Sequence, residues 1–154
     1  MQPAIVMYTD GSSRGNPGQG GYGVVLLTEN LRKELSQGYR RTTNNRMELQ
    51  AVIAGLEAMK KPNLHITVYS DSQYVVKAVM EGWLNNWIKS NFKGKKNKDL
   101  WLKFYELSVQ HKLNFIWVKG HAANEYNNRC DVLATTAADS KNLLTDKGYE
   151  QENG

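Results

Sequence analysis

Ala4-Ile5-Val6-Met7-Tyr8-Thr9-Asp10, a glycine-rich stretch from Gly11 to Gly23, and then Val24-Val25-Leu26-Leu27: this opening decides the fold. The first run is short, apolar and rich in β-branched and aromatic residues. It reads as a buried strand that ends on an acid. Asn16-Pro17-Gly18 marks a turn. Val24 to Leu27 reads as the next strand, and a third covers Lys33 to Arg40. Three strands in succession predict an antiparallel meander.

Gly18-x-Gly20-x-x-Gly23 copies a dinucleotide-binding fingerprint. That fingerprint needs a helix directly after it, and Val24 to Leu27 reads as strand. The pattern also matches a kinase glycine loop, but Val-Ala-Ile-Lys, His-Arg-Asp and Asp-Phe-Gly are missing from the sequence. The glycines are therefore expected to permit tight turns, or the close approach of a ligand backbone.

Further on, the apolar period changes. From Asn45, the residues Leu49, Val52, Ile53 and Leu56 recur at helical spacing until Pro62. His65 to Ser70 is a strand that again ends on an acid, Asp71. A helix with Val75, Ala78 and Val79 on one face runs to Gly82, and a short helix covers Trp83 to Lys89. Leu100, Phe104 and Leu107 stripe another helix that ends near His111. Leu113 to Val118 is the fifth strand, and a last helix carries Cys130, Leu133, Ala134 and Ala137. Strands alternating with helices after a meander imply a mixed α/β sheet with helices packed on it. The polar stretch from Lys141 is expected to fray. The domain is thus placed over 1–140, with 141–154 as a partly disordered tail.

The chain has 154 residues, 40% hydrophobic and 23% charged, as expected for one globular domain. No apolar run approaches the roughly 20 residues of a membrane span. Met1 to Ala4 shows no signal-peptide pattern, and the lone Cys130 excludes an internal disulfide or a cysteine-rich zinc site. These features imply a cytoplasmic protein that does not engage membranes.

The net charge of +5 is concentrated. Between Trp83 and Lys103 stand Lys89, Lys93, Lys95, Lys96, Lys98 and Lys103 against one acid, Asp99. Trp83, Trp87, Phe92 and Trp101 are interleaved with them. Cations among flat rings suit a phosphate backbone with sugars and bases. The alternative is a solvated basic loop whose aromatic residues belong to the core.

Asp10 and Asp71 each close an apolar strand, at the end where α/β sheets build their sites. Glu48 falls in the first turn of a helix, and Asp131 lies in the last helix. If the four converge, their mutual repulsion calls for divalent cations, and hard oxygen donors select Mg²⁺ or Mn²⁺. Taken singly, each acid has a plainer account. Asp10 before Gly11 is a turn aspartate, Glu48 three residues after Asn45 fits a capping box, Asp71 before Ser72 could cap a helix, and Asp131 could be a solvated helix carboxylate. His121, after the fifth strand, suits either a proton shuttle or a surface position.

Four blocks carry a family resemblance. They are Tyr8-Thr9-Asp10-Gly11-Ser12 with Gly15-Asn16-Pro17-Gly18 and Gly20-Gly21-Tyr22-Gly23; Thr42-Thr43-Asn44-Asn45-Arg46-Met47-Glu48-Leu49; Ser70-Asp71-Ser72-Gln73-Tyr74-Val75; and Trp117-Val118-Lys119-Gly120-His121 with Asn128-Arg129-Cys130-Asp131. In this order they resemble type 1 ribonuclease H of the bacterial kind, over about residues 5 to 149. The resemblance implies a ribonuclease H-like fold, with a five-stranded mixed sheet of three antiparallel and then two parallel strands, flanked by helices. It also implies an endonuclease that hydrolyses the RNA strand of RNA–DNA hybrids, acts as a monomer and leaves 5′-phosphate and 3′-hydroxyl ends.

Carried over by position, Asp10, Glu48, Asp71 and Asp131 match the family's metal carboxylates. They would hold two Mg²⁺ ions, with Mn²⁺ as a substitute. Asp10 would bridge both, Asp131 would hold the nucleophile-side ion, and Glu48 and Asp71 the other. His121 matches the loop histidine that assists protonation or product release. Asn16, Asn44, Asn45 and Gln73 resemble contacts to the RNA ribose and minor groove. Arg41, Thr43 and Asn97 match a pocket for one DNA phosphate. Trp83 and the loop with Lys95 and Lys96 resemble a shortened form of the family's basic protrusion, which holds the DNA strand. No hybrid-binding domain is expected ahead of the catalytic unit. Two other functions are weighed: a non-catalytic nucleic-acid-binding module, suggested by the lysine–tryptophan window, and a different nuclease on the same fold, such as a junction resolvase, against which the Asn16 loop and the Thr43 block speak.

Overall fold

In the computed structural model, which describes residues 4–119 and 124–153, strand β1 (Ile5–Ser13) lies inside the sheet. It pairs antiparallel with β2 (Gly18–Leu27) on one side and parallel with β4 (His65–Ser70) on the other. Beyond β2 lies β3 (Arg32–Thr42), antiparallel to it. Beyond β4 lies β5 (Lys112–Trp117), parallel to it. A continuous apolar run such as Ile5 to Tyr8 fits a strand covered on both faces. Helix α1 (Asn44–Glu57) covers one face, and α5 (Glu125–Ala138) covers the other. Between them in sequence come α2 (Gln73–Met80), α3 (Trp83–Lys89) and α4 (Lys98–Ser108).

Side-chain alternation divides the core in two. Met7 and Val24 join Leu49, Val52, Ile53 and Leu56 of α1, with Ile66, Val68, Trp101 and Phe104, in the main cluster. Tyr8 and Val25 point the other way and pack with Cys130. The aromatic residues of the basic window divide as well. Trp101 and Phe92 are core residues, whereas Trp83 is 39% exposed.

The sheet has six strands where five are expected. The sixth, β6 (Leu143–Leu144), runs parallel to β3 at Gly38 and Tyr39. It is followed by α6 (Lys147–Asn153). The stretch expected to fray is therefore folded onto the domain. Its anchors are mostly polar, which is why its hydropathy reads as tail. Asp146 accepts from Thr42 Oγ1 at 2.6 Å and from Arg46 Nε at 2.8 Å, and Tyr149 is buried.

The glycines also act differently from expectation. β1 and β2 continue as strand through most of the glycine-rich stretch. A methyl group at Gly21 would meet Ala134 O at 2.6 Å, and one at Gly23 or Gly38 would collide with the backbone oxygens of Cys130 or Ala137. These positions let the backbone of α5 lie directly on the sheet, so the close approach is made by a helix of the protein itself.

Candidate active site

Three acids reach one point by three different local rules. The parallel register of β1 and β4 aligns Tyr8 with Tyr69, so Asp10 and Asp71, each two residues further on, end side by side. Glu48 comes from α1. Thr43 caps that helix by accepting from Arg46 N at 3.2 Å, which puts Glu48 in its second turn and replaces the expected cap at Asn45. A side chain at Gly11 would strike the Glu48 backbone, so glycine there allows α1 to sit against the end of β1. One carboxylate oxygen from each of Asp10, Glu48 and Asp71 lies within 4.8 Å of the others. Asp131, on the exposed side of α5, stands outside this trio but close enough to Asp10 to act on it by charge and hydrogen bonding.

The electrostatics are those of crowded like charges. Burial, then the charges of Asp71 and Asp131, push the Asp10 carboxyl up to about 8. Burial, then Asp10 and Asp71, raise Glu48 well above the usual carboxylate range. The Cys130 thiol is pushed up to about 12 by burial and by Asp10, so it packs as a neutral group. Glu48 Oε1 and Asp71 Oδ1 are buried acceptors with no hydrogen-bond donor. Among the described residues no lysine or arginine forms a salt bridge with any of the four acids. Orphaned oxygens on converging carboxylates are what a hard divalent cation would satisfy, so the donor set fits such an ion.

A second group of residues assembles nearby. Asn16 Oδ1 accepts from Asn44 N at 3.1 Å and ties the β1–β2 loop to the start of α1. Asn16, Thr43, Asn45, Lys96 and Asn97 line one pocket of about 230 Å³. The Asn97 side chain is already engaged, donating to Tyr74 Oη at 3.1 Å and accepting from Arg46 Nη1 at 3.3 Å. Gln73 is exposed at the first position of α2, and Arg41 is exposed at the end of β3. Trp83 opens α3 with its ring 6.4 Å from that of Trp87, and Lys95 Nζ lies 5.6 Å from the centre of the Trp87 ring. His121 falls outside the described residues.

Residues 2–139 match the family model described as RNase H. The chain belongs to the RNase H family. Among curated relatives, the Ribonuclease H of Lachnoclostridium phytofermentans is 54% identical, over 95% of this chain and 99% of its own. That of Syntrophus aciditrophicus is 51% identical, over 96% and 88%. LC9-RNase H1, a type 1 RNase H with the type 2 active-site motif, superposes with a TM-score of 0.81 at 30% identity, covering 99% of this chain and 81% of its own. LC11-RNase H1, solved in complex with RNA/DNA hybrid, gives 0.67 at 29% identity over 88% and 96%. The chain is thus an RNase H enzyme, and the mixed sheet with its flanking helices is the family's fold. No helix of the described residues is long and apolar enough to cross a membrane.

One residue that orders this family member was missed by the sequence reading. Arg46, two residues before Glu48, is 1% exposed. Its guanidinium grips Asp99 at 2.7 and 2.9 Å and Asp146 at 2.8 and 2.9 Å. It joins α1, the basic loop and the C-terminal segment. Its partners lie 53 and 100 residues away, so no local pattern reveals them.

Proposed function

We propose that this enzyme hydrolyses the RNA strand of RNA–DNA hybrids with two divalent cations, Mg²⁺ in the first instance and Mn²⁺ as a substitute. Asp10, Glu48, Asp71 and Asp131 would hold the ions. When bound, such ions supply an activated water and charge stabilisation for the departing 3′-oxygen, which gives 5′-phosphate and 3′-hydroxyl ends. Asp10 clusters with Glu48 and Asp71 and also interacts with Asp131, which supports it as the ligand common to both ions. His121 takes the proton-handling role.

Selectivity is assigned to two surfaces. Asn16, Asn44, Asn45 and Gln73 face the RNA strand, where the 2′-hydroxyl distinguishes RNA from DNA. Arg41, Thr43 and Asn97 hold a DNA phosphate, with Lys95, Lys96 and Trp83 along the same strand. The carrying observation is the converged trio of carboxylates with orphaned buried oxygens. Labelled RNA–DNA hybrid, RNA duplex and DNA duplex, incubated with and without Mg²⁺, test the reading. The expected result is cutting of the hybrid alone, and only with metal. Asp10→Asn lowers cutting by at least about a hundredfold while hybrid binding persists. Metal-independent cutting, or full activity in that variant, refutes the assignment.

A further inference from the structure

The C-terminal helix places two carboxylates on groups that the proposed function gives to a DNA phosphate. Glu152 Oε2 accepts from the Asn97 backbone N–H at 2.9 Å. Glu150 Oε1 lies 3.6 Å from Arg41 Nη1, and the Arg41 guanidinium also sits 5.3 Å from the centre of the Tyr149 ring. Glu152 belongs to the wall of the same pocket as Thr43, Lys96 and Asn97. An arginine and a backbone N–H offer a carboxylate the charge-assisted bonds they would offer a phosphate oxygen.

We infer that α6 is an internal competitor for the DNA phosphate, with Glu150 and Glu152 standing in for it until hybrid displaces them. The base of the helix is firmly held, because Asp146 is bonded to Arg46 and Thr42, and Tyr149 is buried. Of its two carboxylate contacts, Glu152 with the Asn97 N–H is short, and Glu150 with Arg41 is weaker. The Glu150–Arg41 pair is too long for a hydrogen bond and leaves Glu150 Oε1 without a donor. Arg41 is half exposed, and pairs of that kind are readily exchanged for another anion. A helix anchored through Asp146 and Tyr149, whose two carboxylates occupy the anion-binding groups, would raise the threshold for polyanions that lack a well-placed phosphate.

The inference rests on the reading of Arg41, Thr43 and Asn97 as a phosphate pocket. Fluorescence anisotropy of a labelled RNA–DNA hybrid in EDTA tests it without cutting. The double variant Glu150→Gln/Glu152→Gln keeps Asp146 and Tyr149, hence the anchor of α6. It tightens binding about three- to tenfold. Glu29→Gln/Glu106→Gln, which removes the same charge at two other exposed positions, tightens it less. Arg41→Ala weakens binding, and in that background the gain from the Glu150/Glu152 pair shrinks. If Arg41→Ala weakens binding but the Glu150/Glu152 double does not tighten it, the competitor is overturned and the pocket stands. An equal gain from the Glu29/Glu106 control, or an undiminished gain without Arg41, also overturns the competitor, since the effect is then net charge alone. No effect of Arg41→Ala overturns the pocket reading, and the competitor with it.

Discussion

Helix α1 carries two buried charges two residues apart, and they have opposite surroundings. Arg46 is closed in by Asp99 and Asp146, with four hydrogen bonds to their carboxylates. Burial alone would lower its pKa, yet those contacts raise it. Glu48 faces Asp10 and Asp71, and one of its oxygens has no donor. In one cluster every carboxylate has a cationic partner within the chain, and three segments are held together. The other sets like charges against one another, with only protons or cations from outside to relieve them. Buried charge by itself is therefore not a sign of function. Buried charge that the chain fails to neutralise is the more telling feature.

The cluster around Arg46 is costly to dismantle. Arg46→Ala leaves Asp146 buried without its partner and is expected to cost about 3–5 kcal/mol in urea unfolding. Removing Arg46 and Asp146 together costs less than the sum of the two single changes, because the second removal relieves the orphan left by the first. Additive losses would show that the cluster is not a unit.

The unbalanced cluster behaves in the opposite sense. Asp10 titrates near 8 in the folded chain against an ordinary value of 3.8, so the folded state holds an extra proton between those values. Metal-free stability is therefore expected to fall as pH rises through that window. Asp10→Asn removes part of that slope and stabilises the metal-free protein at pH 8.5 by about 1–3 kcal/mol. Unfolding midpoints in EDTA at pH 5 and pH 8.5 check both statements, and an unchanged slope in Asp10→Asn contradicts them. The smallest effect is at the surface. Lys95→Ala with Lys96→Ala is expected to weaken hybrid binding a few-fold and flatten its dependence on salt, the slope falling by about 1–2. Anisotropy titrations at several salt concentrations measure it.

Much of the site could be read from the chain because it obeys local rules. Two apolar strands that each end on an acid place Asp10 and Asp71 at one sheet edge once the strands are parallel neighbours. The stripe Leu49, Val52, Ile53, Leu56 correctly orients α1 toward the main core. What stayed hidden depends on distant partners. β6 is two residues long and carries no periodic signal. Asp146 and Tyr149 look like tail until Arg46 and Thr42 are seen beneath them. Asn97 resembles a phosphate contact, but its side chain already bonds to Tyr74 and Arg46, and it is its backbone N–H that meets the Glu152 carboxylate.

The bare floor beneath α5 has a consequence for tolerance to change. A leucine-lined interface absorbs a lost or added methylene through rotamer shifts in its neighbours. At Gly23 and Gly38 the oxygens of Cys130 and Ala137 rest on strand backbone, with no side chain between them to yield. An added carbon there must lift the helix bodily. Asp131 sits one residue past Cys130, so it would be carried off with the lifted segment. The seat of Asp131 is thus set by atoms that are absent, and a single methyl group on the sheet would move it.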